Sequence, residues 1–249
     1  MTDLYIKTAF GRLPGGAGVW WLAAIFAVLW APMIHAADSS PRTVNCDGIK
    51  QTYFWLASKQ DIAQPAIVLL HGAGDQAANM IEAWRHMAEK QKIVLLAPEL
   101  PRDPKFENAA PGVFRCVVED ARHIAKIDPQ RVYIFGNSMG GYLAYDAAMY
   151  QSKYFAAIAV HAMTIADEYA SIVEIPKRKM PVAMYIGDHD QFFSVDSMLK
   201  TRNMLRKEDF PVHYVELVNH DHNYYDKSGE INADAWKFFK DIRLPAAEH

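Results

Sequence analysis

Arg131-Val-Tyr-Ile-Phe135 runs straight into Gly136-Asn-Ser-Met-Gly-Gly141, and Tyr142-Leu-Ala-Tyr-Asp-Ala-Ala-Met149 follows. An apolar run of strand length, a Gly-x-Ser-x-Gly turn and a segment of helical composition form a strand–turn–helix unit. Such a turn is sharp enough to lift one hydroxyl above the edge of a sheet. Gly136 and Gly140 are read as positions where a β-carbon would collide with the neighbouring strand and helix. Ser138 is therefore the candidate nucleophile. The three-residue pattern alone arises by chance in roughly one chain in ten of this length. Its weight comes from the strand before it and the helix after it.

Working outward, the same alternation repeats. Gln51–Ala57, Ala66–Leu70, Lys92–Ala97, Phe155–Val160, Val182–Ile186 and Val212–Val218 read as strands. Helical spacing covers Ala78–Lys90, Val113–Ile127, Val195–Lys207 and Asn232–Ile242. Strands that are apolar on both faces and separated by helices imply an α/β fold, with a mostly parallel sheet covered on both sides. No insertion is long enough to form a large cap domain. The stretch from Pro101 to Pro111 reads as a connection or a small rim element.

A serine hydroxyl needs a base, and the base needs an orienting group. Two later segments supply them in the order acid, then histidine. Tyr185-Ile-Gly-Asp-His-Asp-Gln-Phe-Phe193 follows one strand, and Val218-Asn-His-Asp-His-Asn-Tyr-Tyr225 follows the last. Both lie where strands end, the edge at which open α/β sheets bind ligands. Each segment offers two candidates, Asp188 or Asp190 and His220 or His222. His71 and His161 are read as structural, with a place facing the pocket as the other reading, His189 as a turn residue and His213 as a strand-face residue. Phe192, Phe193, Tyr224 and Tyr225 flank the candidates, either as apolar walls of a pocket or as ordinary packing.

With 249 residues, 51% of them hydrophobic, the chain can bury one sizeable core. A net charge of −3 without a long basic run gives no footprint for nucleic acid. Residues 1–37 stand apart. Lys7 and Arg12 precede an apolar stretch from Val19 to Ile34, and the small Ala36 and Ala37 follow. That is the pattern of a secretory signal, leaving residues 38–249 as the working domain with no membrane partner once the signal is cleaved. An uncleaved membrane anchor is the other reading. Cys46 and Cys116 are either a disulfide, as exported chains often form, or two separate thiols. No Cys-x-x-Cys or His-Glu-x-x-His occurs, so no metal site is indicated.

The motifs Leu70-His-Gly-Ala-Gly74, Gly136-Asn-Ser-Met-Gly140, Gly187-Asp-His-Asp190 and Asp221-His-Asn-Tyr224 resemble those of the α/β-hydrolase superfamily. The likeness is to its compact secreted esterase branch, related to polyhydroxybutyrate depolymerases, feruloyl esterases and S-formylglutathione hydrolases. It covers roughly residues 45–243. The resemblance implies an α/β-hydrolase fold and a triad of Ser138, Asp190 and His222, with Asp188 and His220 as the rivals. It also implies an oxyanion hole from the backbone N–H groups of Met139 and Ala73. His71-Gly-Ala-Gly74 departs from the His-Gly-Gly-Gly of many lipases, which bears on the second donor. The implied activity is a secreted serine hydrolase acting on small-molecule or polymer-linked carboxylic esters without a cofactor. A prolyl-oligopeptidase-type peptidase and a binding protein that has lost catalysis are the alternatives.

Overall fold

The computed structural model describes residues 41–101 and 112–245. The expected leader and most of the proline-rich connection lie outside the described residues. The strands are β1 (Arg42–Cys46), β2 (Ile49–Leu56), β3 (Gln64–Leu70), β4 (Val94–Pro98), β5 (Ile127–Asn137), β6 (Ala157–His161), β7 (Val182–Gly187) and β8 (Val212–Leu217). The helices are α1 (Ala77–Gln91), α2 (Gly112–Ala121), α3 (Met139–Tyr150), α4 (Val195–Lys207) and α5 (Ser228–Phe239).

Successive strand side chains point to opposite faces, and here both faces are apolar. Val68, Leu70, Ile134, Val160 and Met184 enter one core beneath α2, α3 and α4. Ile67, Leu69, Phe135, Ala159 and Tyr185 enter the other, beneath α1 and α5. The strands stand in the order β1-β2-β4-β3-β5-β6-β7-β8. Pairing is parallel from β4 through β8, while β1 and β2 are antiparallel additions at one edge. The α/β-hydrolase expectation holds, with no large cap among the described residues.

Some boundaries differ from the periodicity. The helix expected over 113–127 ends at Ala121, because Ile127 already pairs with Gln64 in the sheet and Lys126 accepts the Gln64 N–H at 2.7 Å. The last helix starts four residues early, at Ser228, and stops at Phe239. β1 was not foreseen, since its alternating half-exposed pattern is weak. It is held from outside the strand: Cys46 and Cys116 form a disulfide with Cα atoms 5.9 Å apart, joining β1 to α2. Nearby, Asp120 on α2 accepts from Tyr53 Oη at 2.6 Å and from Arg42 Nε at 3.2 Å.

Candidate active site

The turn between β5 and α3 puts Ser138 at φ 51° and ψ −120°, a backbone conformation a non-glycine residue adopts only when its surroundings impose it. The neighbouring glycines make that possible. A β-carbon on Gly136 would lie 2.3 Å from the Gly140 carbonyl oxygen, and one on Gly140 would lie 2.2 Å from that of Leu70. The helix start is thus pressed against the end of β3, and the serine is left at the tip of the turn.

His222 Nε2 lies 2.9 Å from Ser138 Oγ, and its Nδ1 lies 2.8 Å from Asp190 Oδ2. An ionised carboxylate only accepts, so the imidazole carries its proton on Nδ1 and presents a free lone pair to the serine. The Asp190 side chain is 0% exposed. Its other oxygen accepts the backbone N–H groups of Phe192 and Phe193 at 2.8 and 2.9 Å. Gly187 lets the acid-bearing and histidine-bearing loops touch: a β-carbon there would lie 2.0 Å from the His220 carbonyl oxygen. That carbonyl accepts the His189 N–H at 2.9 Å.

The rival candidates have other partners. Asp188 Oδ1 accepts the His220 backbone N–H at 3.1 Å. The backbone N–H groups of Asn219 and then His220 hold its carboxyl below the usual carboxylate range. His220 is buried, and its Nε2 meets His161 Nε2 at 3.1 Å. His161 Nδ1 in turn meets Asn137 Oδ1 at 2.8 Å. With the Asn137 oxygen accepting from Nδ1, the His161 Nε2 accepts from His220. Burial, with the neighbouring His220 and His222 rings further disfavouring a positive charge, pushes His161 down to about 3. This neutral chain braces the underside of the elbow. His213 is engaged on its strand face by Asp234 at 2.6 Å.

Met139 opens α3, so its N–H is a first-turn donor without an intrahelical acceptor. Ala73 lies beside Ser138 in the wall of a cleft of about 630 Å³. His71 holds that loop: its Nε2 accepts the Leu100 N–H at 3.0 Å, leaving its Nδ1–H to donate to the Gly72 carbonyl at 2.8 Å. Phe192, Phe193 and Tyr225 also line the cleft, with the Phe192 ring centroid 4.7 Å from that of His222. Tyr225 hydrogen-bonds to Asp75. Tyr224 also contributes to the lining, but it is a buried residue whose hydroxyl donates to Asn232 Oδ1 at 2.6 Å. Asp75, Asn137 and Gln191 line the cleft as well and were not singled out from the sequence. The place of Asn137 inside the serine motif was the one available signal. A hydroxyl hydrogen-bonded to an oriented imidazole, with backbone donors at a helix start beside an open cleft, is an arrangement that can carry acyl transfer.

Residues 75–240 match the model of the dienelactone hydrolase family. A poly(3-hydroxybutyrate) depolymerase of Ralstonia pickettii is 27% identical over 181 residues, 57% of this chain and 37% of that protein. The chain therefore spans well under half the length of that curated relative. Among solved structures, a thermostable esterase superimposes with a TM-score of 0.65 at 18% identity, covering 82% of this chain and 63% of its own. A puromycin-hydrolysing peptidase of Mycobacterium tuberculosis gives 0.63 at 14% identity, covering 82% and 40%. At these identities the structural likeness establishes the fold, and the chemistry has to be argued from the site.

Proposed function

Since the chain belongs to the dienelactone hydrolase family, we propose that it hydrolyses carboxylic esters by acyl transfer through Ser138. The observation that carries this reading is the hydrogen-bonded series Ser138–His222–Asp190, at 2.9 and 2.8 Å, with Ser138 and His222 on the wall of an open cleft and Asp190 buried behind them. Ser138 Oγ attacks the ester carbonyl while His222 Nε2 takes its proton. Asp190 keeps the imidazole in the accepting tautomer and stabilises its charged form. The N–H groups of Met139 and Ala73 receive the developing oxyanion. His222 then returns the proton to the leaving alcohol, and water releases the acid by the same steps in reverse. Every proton and charge is handled by groups of this chain. Small-molecule and polymer-linked esters both fit an open cleft.

The test is labelling by a fluorophosphonate, with the modified peptide containing Ser138. Ser138→Ala should abolish labelling and lower turnover of p-nitrophenyl acetate by about 10⁴-fold or more in a folded chain. Retained turnover would end the proposal. Faster cleavage of a prolyl p-nitroanilide than of the matched ester would move the chain to the peptidases. We also read residues 1–37 as an export leader and 38–249 as the working domain. The basic, apolar and small-residue sequence there supports this, and the Cys46–Cys116 bridge suits an oxidising compartment. Amino-terminal sequencing of exported protein should begin near Ala37 or Asp38.

A further inference from the structure

Asn137 stands at the end of β5, opposite His161 of β6 in the register, and lines the same cleft as Ser138. The acyl-transfer steps give it no part. It is 7% exposed, and a buried amide ordinarily has both ends paired. Here only the oxygen is. Oδ1 accepts from His161 Nδ1 at 2.8 Å, and no hydrogen bond from Nδ2 occurs among the described residues. The nitrogen is not sealed in either. The sealed side-chain atoms without a partner are the Tyr145 hydroxyl and atoms of Trp84, Gln151 and Arg178. The two N–H groups of Nδ2 therefore open into the cleft that Asn137 lines.

The direction of this amide is fixed from two sides. Beneath it, His161 Nε2 meets His220 Nε2 at 3.1 Å, and Asp188 Oδ1 accepts the His220 backbone N–H at 3.1 Å. An asparagine amide turns easily about its last torsion. The chain of buried imidazoles holds it in one sense, with the oxygen to His161 and the nitrogen away. On the other side Gly72 leaves the nitrogen uncovered. A β-carbon there would lie 3.2 Å from Asn137 Nδ2 and 3.6 Å from Ser138 Cβ. The free donor thus lies beside the nucleophile, next to the loop that carries Ala73.

Two backbone N–H groups already serve the oxyanion in the mechanism above, which leaves this side-chain donor for a second oxygen of the same substrate. We propose that Asn137 is a specificity residue whose Nδ2 donates to an acceptor oxygen (ether, hydroxyl or carbonyl) close to the scissile bond of the ester. His161 and His220 are the positioning residues that aim it. The proposal rests on the ester-hydrolase reading for its kinetics but not for binding.

Two near-isosteric ester pairs test it, each exchanging one CH₂ for oxygen. p-Nitrophenyl methoxyacetate against p-nitrophenyl butyrate places the oxygen on the acyl half. Methoxyethyl acetate against butyl acetate places it on the alcohol half. Asn137→Leu keeps the shape of the side chain and removes the donor. It should lower the ether-to-methylene ratio of kcat/KM about 3- to 10-fold relative to the parent in at least one pair. His161→Phe leaves the amide unaimed and should lower the ratio in the same pair. Should Asn137→Leu fail to fold, Asn137→Asp takes its place, since its carboxylate still accepts from His161 and offers no N–H. Ratios unchanged in both pairs, or all four esters slowed alike, would overturn the assignment with ester hydrolysis intact. Binding is read separately in a Ser138→Ala chain, from the NMR resonance of the Asn137 side-chain nitrogen. One of the ether esters should shift it and its methylene partner should not. That shift, where the parent chain cleaves no ester, would overturn the hydrolase reading and leave the oxygen site standing. No shift from either ether would overturn the site.

Discussion

Replacing Asp190 by Asn changes one atom and, under the proposed mechanism, reverses the job of His222. In the structure Asp190 Oδ1 accepts two backbone N–H groups, from Phe192 and Phe193, and Oδ2 accepts His222 Nδ1–H at 2.8 Å. The amide oxygen of Asn is claimed by the two backbone donors, so its NH₂ must face His222. Two donors cannot face each other, and the imidazole shifts its proton from Nδ1 to Nε2. That proton then points at Ser138 Oγ, 2.9 Å away, where a lone pair is needed. A wrong-tautomer substitution of this kind lowers kcat about 10⁴-fold, equivalent to roughly 5.4 kcal/mol of transition-state stabilisation. The melting midpoint should move little, because both backbone bonds survive. The assay is steady-state hydrolysis of p-nitrophenyl acetate near neutral pH, with circular-dichroism melts alongside. Asp188→Asn is the contrast, because that carboxylate holds the His220 backbone and not an imidazole. It should stay within about tenfold of the parent. More than a tenth of parental activity in Asp190→Asn, or an equally dead Asp188→Asn, would refute the reasoning.

Gly140→Ala should cost about 3 kcal/mol or more in urea unfolding, since its β-carbon would sit 2.2 Å from the Leu70 carbonyl oxygen; near-parental stability would show that the elbow can relax. His161 is neutral in the fold, lowered from 6.5 to about 3, so between those values the unfolded chain binds more protons. Its contribution to stability is present above about pH 6.5 and lost as pH falls towards 3, up to about 5 kcal/mol by linkage. Melting midpoints across that window should slope less in His161→Gln than in the parent. Opening the Cys46–Cys116 bridge, which closes a loop with a sequence separation of 70, should cost about 4 kcal/mol. A Cys46→Ser/Cys116→Ser chain that unfolds at the parental urea concentration would contradict that.

What the sequence determined by itself is local. Buried strands such as Ala66–Leu70 are legible because apolar residues on both faces suit a covered sheet, and the elbow is legible because only glycine fits at positions 136 and 140. The order of serine, acid and histidine along the chain is legible for the same reason: each sits just past a strand end. The edge strand β1 was not, because its stability comes from a bridge and a hydrogen-bond cluster contributed by α2 rather than from its own pattern. Spacing alone also left two aspartates and two histidines open. The tertiary structure separates them by a displacement of two residues, which turns a side chain to different surroundings. His222 reaches Ser138, 84 positions away, whereas His220 is drawn beneath the elbow to His161. The unpaired Tyr145 hydroxyl left no trace in the sequence either, since a tyrosine on a helix has a partner or lacks one only through the elements that pack around it. Periodicity and backbone preference are properties of neighbouring residues, while hydrogen bonds across long separations are chosen by how the elements pack.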